Sequence, residues 1–133
     1  MFQFFGKSRQ LNRLHAGSTV RGDIVSEEGW VLSGSLVGDI TALGDVVVER
    51  TAEVFGNISG ENIRIAGRVV GNIRANNLLH FESDGQVVGD IQYKSLRIEQ
   101  GAQISGMLLT EADQAEEVVY NAIIERKDDF MEI

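Results

Sequence analysis

The chain contains no cysteine and no proline. Without cysteine there are no disulfides, no thiolate metal sites and no Cys nucleophiles. The lack of proline is unusual beside 15 glycines, because loop-rich domains use both to punctuate turns. Here the turns are built one way, repeatedly. Histidine occurs only twice, as His15 and His80. Cations are in the minority, with 12 Lys and Arg against 20 Asp and Glu and a formal net charge of −8. Phosphate binding needs clustered Lys and Arg, so direct nucleic-acid binding is excluded as the main task. No apolar run approaches the roughly 18 residues of a transmembrane helix, and no secretory signal is recognisable. What remains, 133 residues of which 43% are hydrophobic and 24% charged, reads as one soluble cytoplasmic domain with a real core.

The abundant glycine is organised. A motif of apolar residue, any residue, Gly, Asp or Asn, and apolar residue recurs along the chain. It reads Val20-Arg21-Gly22-Asp23-Ile24, then Leu36-Val37-Gly38-Asp39-Ile40 and Val54-Phe55-Gly56-Asn57-Ile58. Val69-Val70-Gly71-Asn72-Ile73 and Val87-Val88-Gly89-Asp90-Ile91 follow, with a degenerate sixth copy at Ile104-Ser105-Gly106-Met107-Leu108. Successive motif glycines are 15 to 18 residues apart. Between copies lies a second pulse of alternating apolar residues: Trp30/Leu32, Val46/Val48, Ile63/Ile65, Leu79/Phe81 and Leu96/Ile98. A period of two marks a strand with one buried face.

Repeats this short cannot hold a helical hairpin or a propeller blade; one coil of an all-β solenoid fits. Each strand then pairs in parallel with its equivalent about 4.8 Å away, and six coils make a rod of roughly 29 Å. Leu32, Val48, Ile65, Phe81 and Ile98 are expected to stack inward. Gly permits a tight corner that a Cβ would block. Asp23, Asp39, Asn57, Asn72 and Asp90 should form a ladder that satisfies corner backbone groups; its role is structural, and no calcium-binding nonapeptide occurs. The residues before the motif glycines should face outward. Among them Val37, Phe55, Val70 and Val88 form an apolar stripe suited to lateral contact or tail docking.

The tandem V-x-G-[DN]-I copies and the closing Gly101-Ala102-Gln103-Ile104-Ser105-Gly106 resemble the bactofilins, bacterial polymer-forming cytoskeletal proteins, over about Gly17 to Leu109. The resemblance implies a right-handed, three-sided parallel β-helix of about six coils that polymerises end to end without nucleotide or other cofactor. It also implies homopolymer filaments on the inner face of the cytoplasmic membrane, organising cell shape or cell-wall enzymes. Val20 and Ile24 at one end, and Ile104 and Leu108 at the other, are the expected end contacts. An open solenoid end is itself a template for another strand, and no capping helix pattern precedes Val20.

On this reading residues 1–16 are a membrane-binding tail, 17–109 the polymerising β-helix and 110–133 an acidic helical tail. Met1, Phe2, Phe4 and Phe5 with Lys7 and Arg9 combine interfacial aromatics with cations, each cation worth about 1 kcal/mol near anionic lipid. In the last segment Thr110 and Asp113 look like a capping box. Ala115, Val118, Val119, Ala122 and Ile123 then form the stripe of an amphipathic helix, expected to pack on the side of the rod.

Two other readings share these features. A non-polymerising, membrane-associated solenoid adaptor would have both ends capped. A hexapeptide-repeat-type acyltransferase would need strict six-residue units, which spacings of 15 to 18 break. It would also need a histidine in a site, whereas His80 should point outward between Leu79 and Phe81. No metal site or catalytic residue is expected.

Overall fold

The computed structural model describes residues 11–110, 116–120 and 123–126. Among them the backbone is strand and turn, without helix. The strands of each turn stack in parallel on their equivalents in the next turn, and the last described level holds two strands where the earlier ones hold three. Three ladders therefore run along the molecule. The first comprises Leu11–Leu14, Gly29–Leu32, Val46–Val48, the second half of Ile58–Ile65, the second half of Ile73–Phe81, Ser95–Ile98 and Glu116–Val119. The second comprises Thr19–Arg21, Ser35–Val37, Glu53–Phe55, Arg68–Val70, Gln86–Val88, Gln103–Gly106 and Ile123–Arg126. The third begins at Ile24–Ser26 and Ile40–Ala42, takes the first halves of the two long strands, and ends with Ile91–Tyr93 and Leu108–Thr110. The long strands fuse the first and third ladders into one sheet.

Register turns the repeat into columns. In the first ladder Leu14, Leu32, Val48, Ile65, Phe81 and Ile98 lie directly over one another, and all are buried. The second ladder stacks Leu36, Val54, Val69, Val87 and Ile104, and the third Ile40, Ile58, Ile73, Ile91 and Leu108, again buried. A fully buried side chain of this size contributes about 1.5–3 kcal/mol. Columns of β-branched residues suit the half-buried pleat.

The corner between the second and third ladders explains the motif. Gly22, Gly38, Gly56, Gly71, Gly89 and Gly106 adopt φ between 132° and 158°, a region L side chains rarely enter. From Gly38 onward, a Cβ would also collide with the carbonyl oxygen of the previous motif glycine. The Asx side chains climb beside them. The Asp39 N–H donates to Asp23 Oδ1 (2.9 Å), Asn57 N–H to Asp39 Oδ1 (2.8 Å), Asn72 N–H to Asn57 Oδ1 (2.9 Å) and Asp90 N–H to Asn72 Oδ1 (3.0 Å). Met107 N–H closes the series on Asp90 Oδ1 at 3.3 Å.

Two boundaries differ from the sequence expectation. The solenoid starts before Gly17, because Leu14 interrupts the polar stretch and falls into the column over Leu32. The amphipathic helix expected within 110–133 is replaced, where described, by strands Glu116–Val119 and Ile123–Arg126. The apolar spacing that fits a helix stripe also contains Val118, Val119, Ile123 and Ile124, whose β-branching favours strand. The edges of Ser95–Ile98 and Gln103–Gly106 offer them a full row of backbone partners. Tyr120 N–H donates to the Ile98 carbonyl and Ile123 N–H to that of Ala102, both at 2.9 Å, and the Tyr93 hydroxyl bonds the Glu117 carboxylate.

The corner geometry makes a direct prediction. Gly71→Ala must relieve both a φ of 150° and a backbone collision, at a cost of at least about 2 kcal/mol. Val25→Thr, at a side chain 83% exposed, should stay within about 0.5 kcal/mol of the parent. Denaturant melts giving the two variants equal midpoints would refute the corner assignment.

Candidate assembly interface

The surfaces that distinguish this molecule are its two ends and one side. At the first end Leu11–Leu14, Thr19–Arg21 and Ile24–Ser26 each pair, among the described residues, on one edge only. Their inward bonds are made: Gly22 N–H donates to the Val37 carbonyl at 2.9 Å and Ile24 N–H to that of Asp39 at 2.8 Å. Asp23 stands first in the Asx ladder, so its N–H occupies the position that each later coil fills from the coil before. Val20, Ile24 and, one level in, Trp30 are half-buried against the core, and the Trp30 indole N–H is buried without a partner among the described residues.

At the opposite end the last described strands are Glu116–Val119, Ile123–Arg126 and Leu108–Thr110. Ile124 continues the column of Ile104 and covers it, leaving Ile104 2% exposed. The expected end residue Ile104 therefore lies one level inside, while Leu108 remains in the last strand of its ladder. Val119, in register with Ile98, is 41% exposed. Sequence reading missed this additional level because it lacks the Gly-Asx motif. Its only signal is the two β-branched pairs Val118-Val119 and Ile123-Ile124.

The four residues of the side stripe stand in one register. Val37 pairs with Phe55, Phe55 with Val70, and Val70 with Val88, in a continuous register on the outer side of the second ladder. Val37, Phe55 and Val88 are 40%, 41% and 54% exposed. Beside them a shallow groove is lined by Arg68, Gln86, Val88, Gln103, Ser105 and Ile123. Met1, Phe2, Phe4, Phe5, Lys7 and Arg9 lie outside the described residues.

The outer side of the first ladder is different in kind. Arg64 reaches Glu82 at 3.2 Å, His80 reaches Glu99 at 2.9 Å, and Arg13 reaches Glu49 at 3.4 Å. His80 sits in register between Arg64 and Arg97, facing outward. These are exposed or half-exposed pairs that contribute little individually. Among the described residues no three His, Asp or Glu side chains gather to hold a metal. A second amide ladder, unforeseen, ties the corner between the third and first ladders. Asn62 Nδ2 donates to Asp45 Oδ1 at 3.1 Å and Asn77 Nδ2 to Asn62 Oδ1 at 2.9 Å.

Comparison with known proteins meets this geometry. Residues 12–108 match the family described as Bactofilin, polymer-forming cytoskeletal. Bactofilin BacO of Myxococcus xanthus (strain DK1622) is 36% identical over 87 residues, which are 65% of this chain and 69% of that protein. Bactofilin BacP of the same organism is 30% identical over 87 residues, 65% of this chain but 36% of BacP. The chain thus spans little more than a third of BacP. No solved structure matches. With a parallel β-solenoid built from Gly-Asx corners, and a family match running through most of its length, the chain belongs to the bactofilins.

Proposed function

We propose that this bactofilin assembles end to end, without nucleotide, into homopolymer filaments on the cytoplasmic face of the cytoplasmic membrane. There it serves as a non-catalytic scaffold for cell shape or for cell-wall enzymes. The coil is read as a right-handed, three-sided β-helix, one side per ladder. The observation that carries the reading is the state of the ends. Among the described residues each presents single-sided parallel ladders resting on apolar columns: Val20 and Ile24 at one end, Ile124, Val119 and Leu108 at the other. Parallel ladder edges over an apolar core are templates for further strands, and monomeric solenoids cover them with polar caps. Stacking a second copy continues backbone bonding and core burial together.

The membrane part rests on Met1, Phe2, Phe4 and Phe5 with Lys7 and Arg9. One such tail binds weakly, and a filament carrying many binds through its high effective local concentration. Assembly and membrane attachment therefore reinforce each other.

Purified protein without nucleotide should form filaments visible by negative-stain electron microscopy. Val20→Arg and Ile124→Arg should reduce them to short particles while keeping the circular-dichroism spectrum of the parent. Discrete particles from the parent itself would favour the capped adaptor. Phe55→Lys should leave single filaments intact and remove only side-by-side association. Ile104→Arg, by contrast, places a charge in the core and should lower the melting temperature. In sedimentation with anionic vesicles, serine at Phe2, Phe4 and Phe5 should abolish co-pelleting, and Val20→Arg should weaken it with the tail unchanged. Undiminished pelleting of the serine variant would remove the tail from the membrane reading.

A further inference from the structure

Two outward columns run side by side on the second ladder. One holds Arg21, Val37, Phe55, Val70, Val88 and Ser105, and the other Thr19, Ser35, Glu53, Arg68, Gln86 and Gln103. On the first ladder the outward charges pair within the chain, Arg64 with Glu82 and His80 with Glu99. Glu53 and Arg68 stand beside each other in register, yet neither makes an ion pair among the described residues.

The two columns share a centre. The apolar run Val37, Phe55, Val70, Val88 has its midpoint between Phe55 and Val70, and Glu53 and Arg68 occupy those same two levels. Rotate a second copy by a half-turn about an axis along the strands at that midpoint, and set it face to face with the first. Its levels then run in reverse order. Val37 meets Val88, Phe55 meets Val70 and Glu53 meets Arg68, each contact occurring twice, as in any isologous interface. Arg21 meets Ser105 and Ser35 meets Gln86, so no like charges are opposed. Shifting the axis onto the level of Val70 would set Arg68 against Arg68, which is unfavourable. Copies running in the same direction would lay the apolar column on the polar one, with Val70 over Arg68. The residue order therefore selects one arrangement.

We infer that the outer side of the second ladder is a two-fold interface with a second copy of this chain, the two rods running in opposite directions. Reciprocal Glu53–Arg68 pairs set its register, and the stripe from Val37 to Val88 is its apolar centre. This deepens the side-by-side association named above, on which it rests, and does not require end-to-end assembly. Six levels of three-residue strands offer a face of roughly 29 by 10 Å, far below the about 800 Å² per partner of a stable complex. A single pair of subunits is therefore weakly held, and many pairs aligned along two filaments hold through effective concentration.

The chain has no cysteine, so introduced thiols report this geometry in the full-length protein, and oxidation traps even a weak pair. Val37→Cys and Val88→Cys proteins, mixed and treated with oxidised glutathione, should form a disulfide-linked heterodimer, read by mass spectrometry. Either protein alone should dimerise at least about tenfold more slowly, because its own thiols lie three levels apart, roughly 14 Å, beyond disulfide reach. Adding Glu53→Arg, or Arg68→Glu, to both proteins should slow the mixed reaction several-fold with the melting temperature unchanged. Adding both substitutions together should restore it, since the pairs are then exchanged and still opposite. Equal rates for mixed and single proteins, no linkage in any, or a double exchange that stays slow would overturn the inference. Arg21→Cys mixed with Ser105→Cys repeats the test with the apolar stripe intact. Filaments in electron micrographs without the heterodimer would sink this interface and leave end-to-end assembly standing; the heterodimer without filaments would do the reverse.

Discussion

Everything in this molecule depends on the requirement that each coil lie on the last at the spacing of a parallel β-ladder, about 4.8 Å. Backbone at a corner must meet that spacing as strictly as backbone in a strand, yet corners have no ladder of their own. The motif resolves this. Glycine at φ near 150° lets the chain pass over the preceding glycine's carbonyl where a Cβ would collide. The neighbouring Asx side chain takes the N–H that the turn would strand. Unit charges this close repel by about 1 kcal/mol even in water, and the series Asp23, Asp39, Asn57, Asn72, Asp90 places two neutral amides among its carboxylates.

From that spacing the function proposed above follows with little addition. A structure made of identical contacts between successive layers has no natural last layer. Among the described residues its end strands carry one unpaired edge over the same apolar columns that its interior consumes. Specificity then lies on the sides, where the three ladders differ. The outer side of the first is a run of charge pairs around Arg64 and His80, and that of the second is apolar from Val37 to Val88. A polymer of such subunits is chemically uniform along its axis and differentiated around it.

Much of this was legible in the residues because the solenoid repeats its reasons. Alternation at Trp30/Leu32 or Ile63/Ile65 states which side faces in, and the recurring glycine states where the chain turns. The third strand of each coil was harder to read, since three residues such as Ile40–Ala42 hold too little alternation to separate a strand from a corner. The final level was misread for a different reason. Val118, Val119 and Ile123 satisfy a helical spacing and a strand equally, and the choice is made by the unpaired edge of Ser95–Ile98, which no local pattern records. Counting levels from the motif alone places Ile104 at the end, because the level that covers it carries no Gly-Asx corner.

The coils contain between 15 and 18 residues from one motif glycine to the next, and the long strands show where the surplus goes. Opposite the single Glu61, the next coil carries Asn76 and Asn77, and opposite Ala66 and Gly67 it carries the four residues from Glu82 to Gly85, while the paired positions on either side keep their register. Rise along the axis belongs to the hydrogen bonds and is untouched. Insertions and deletions therefore change the girth of the subunit, and only the gain or loss of a whole coil changes its length. The molecule is a ruler graduated in steps of about 4.8 Å, whose divisions hold although the sequence between them drifts.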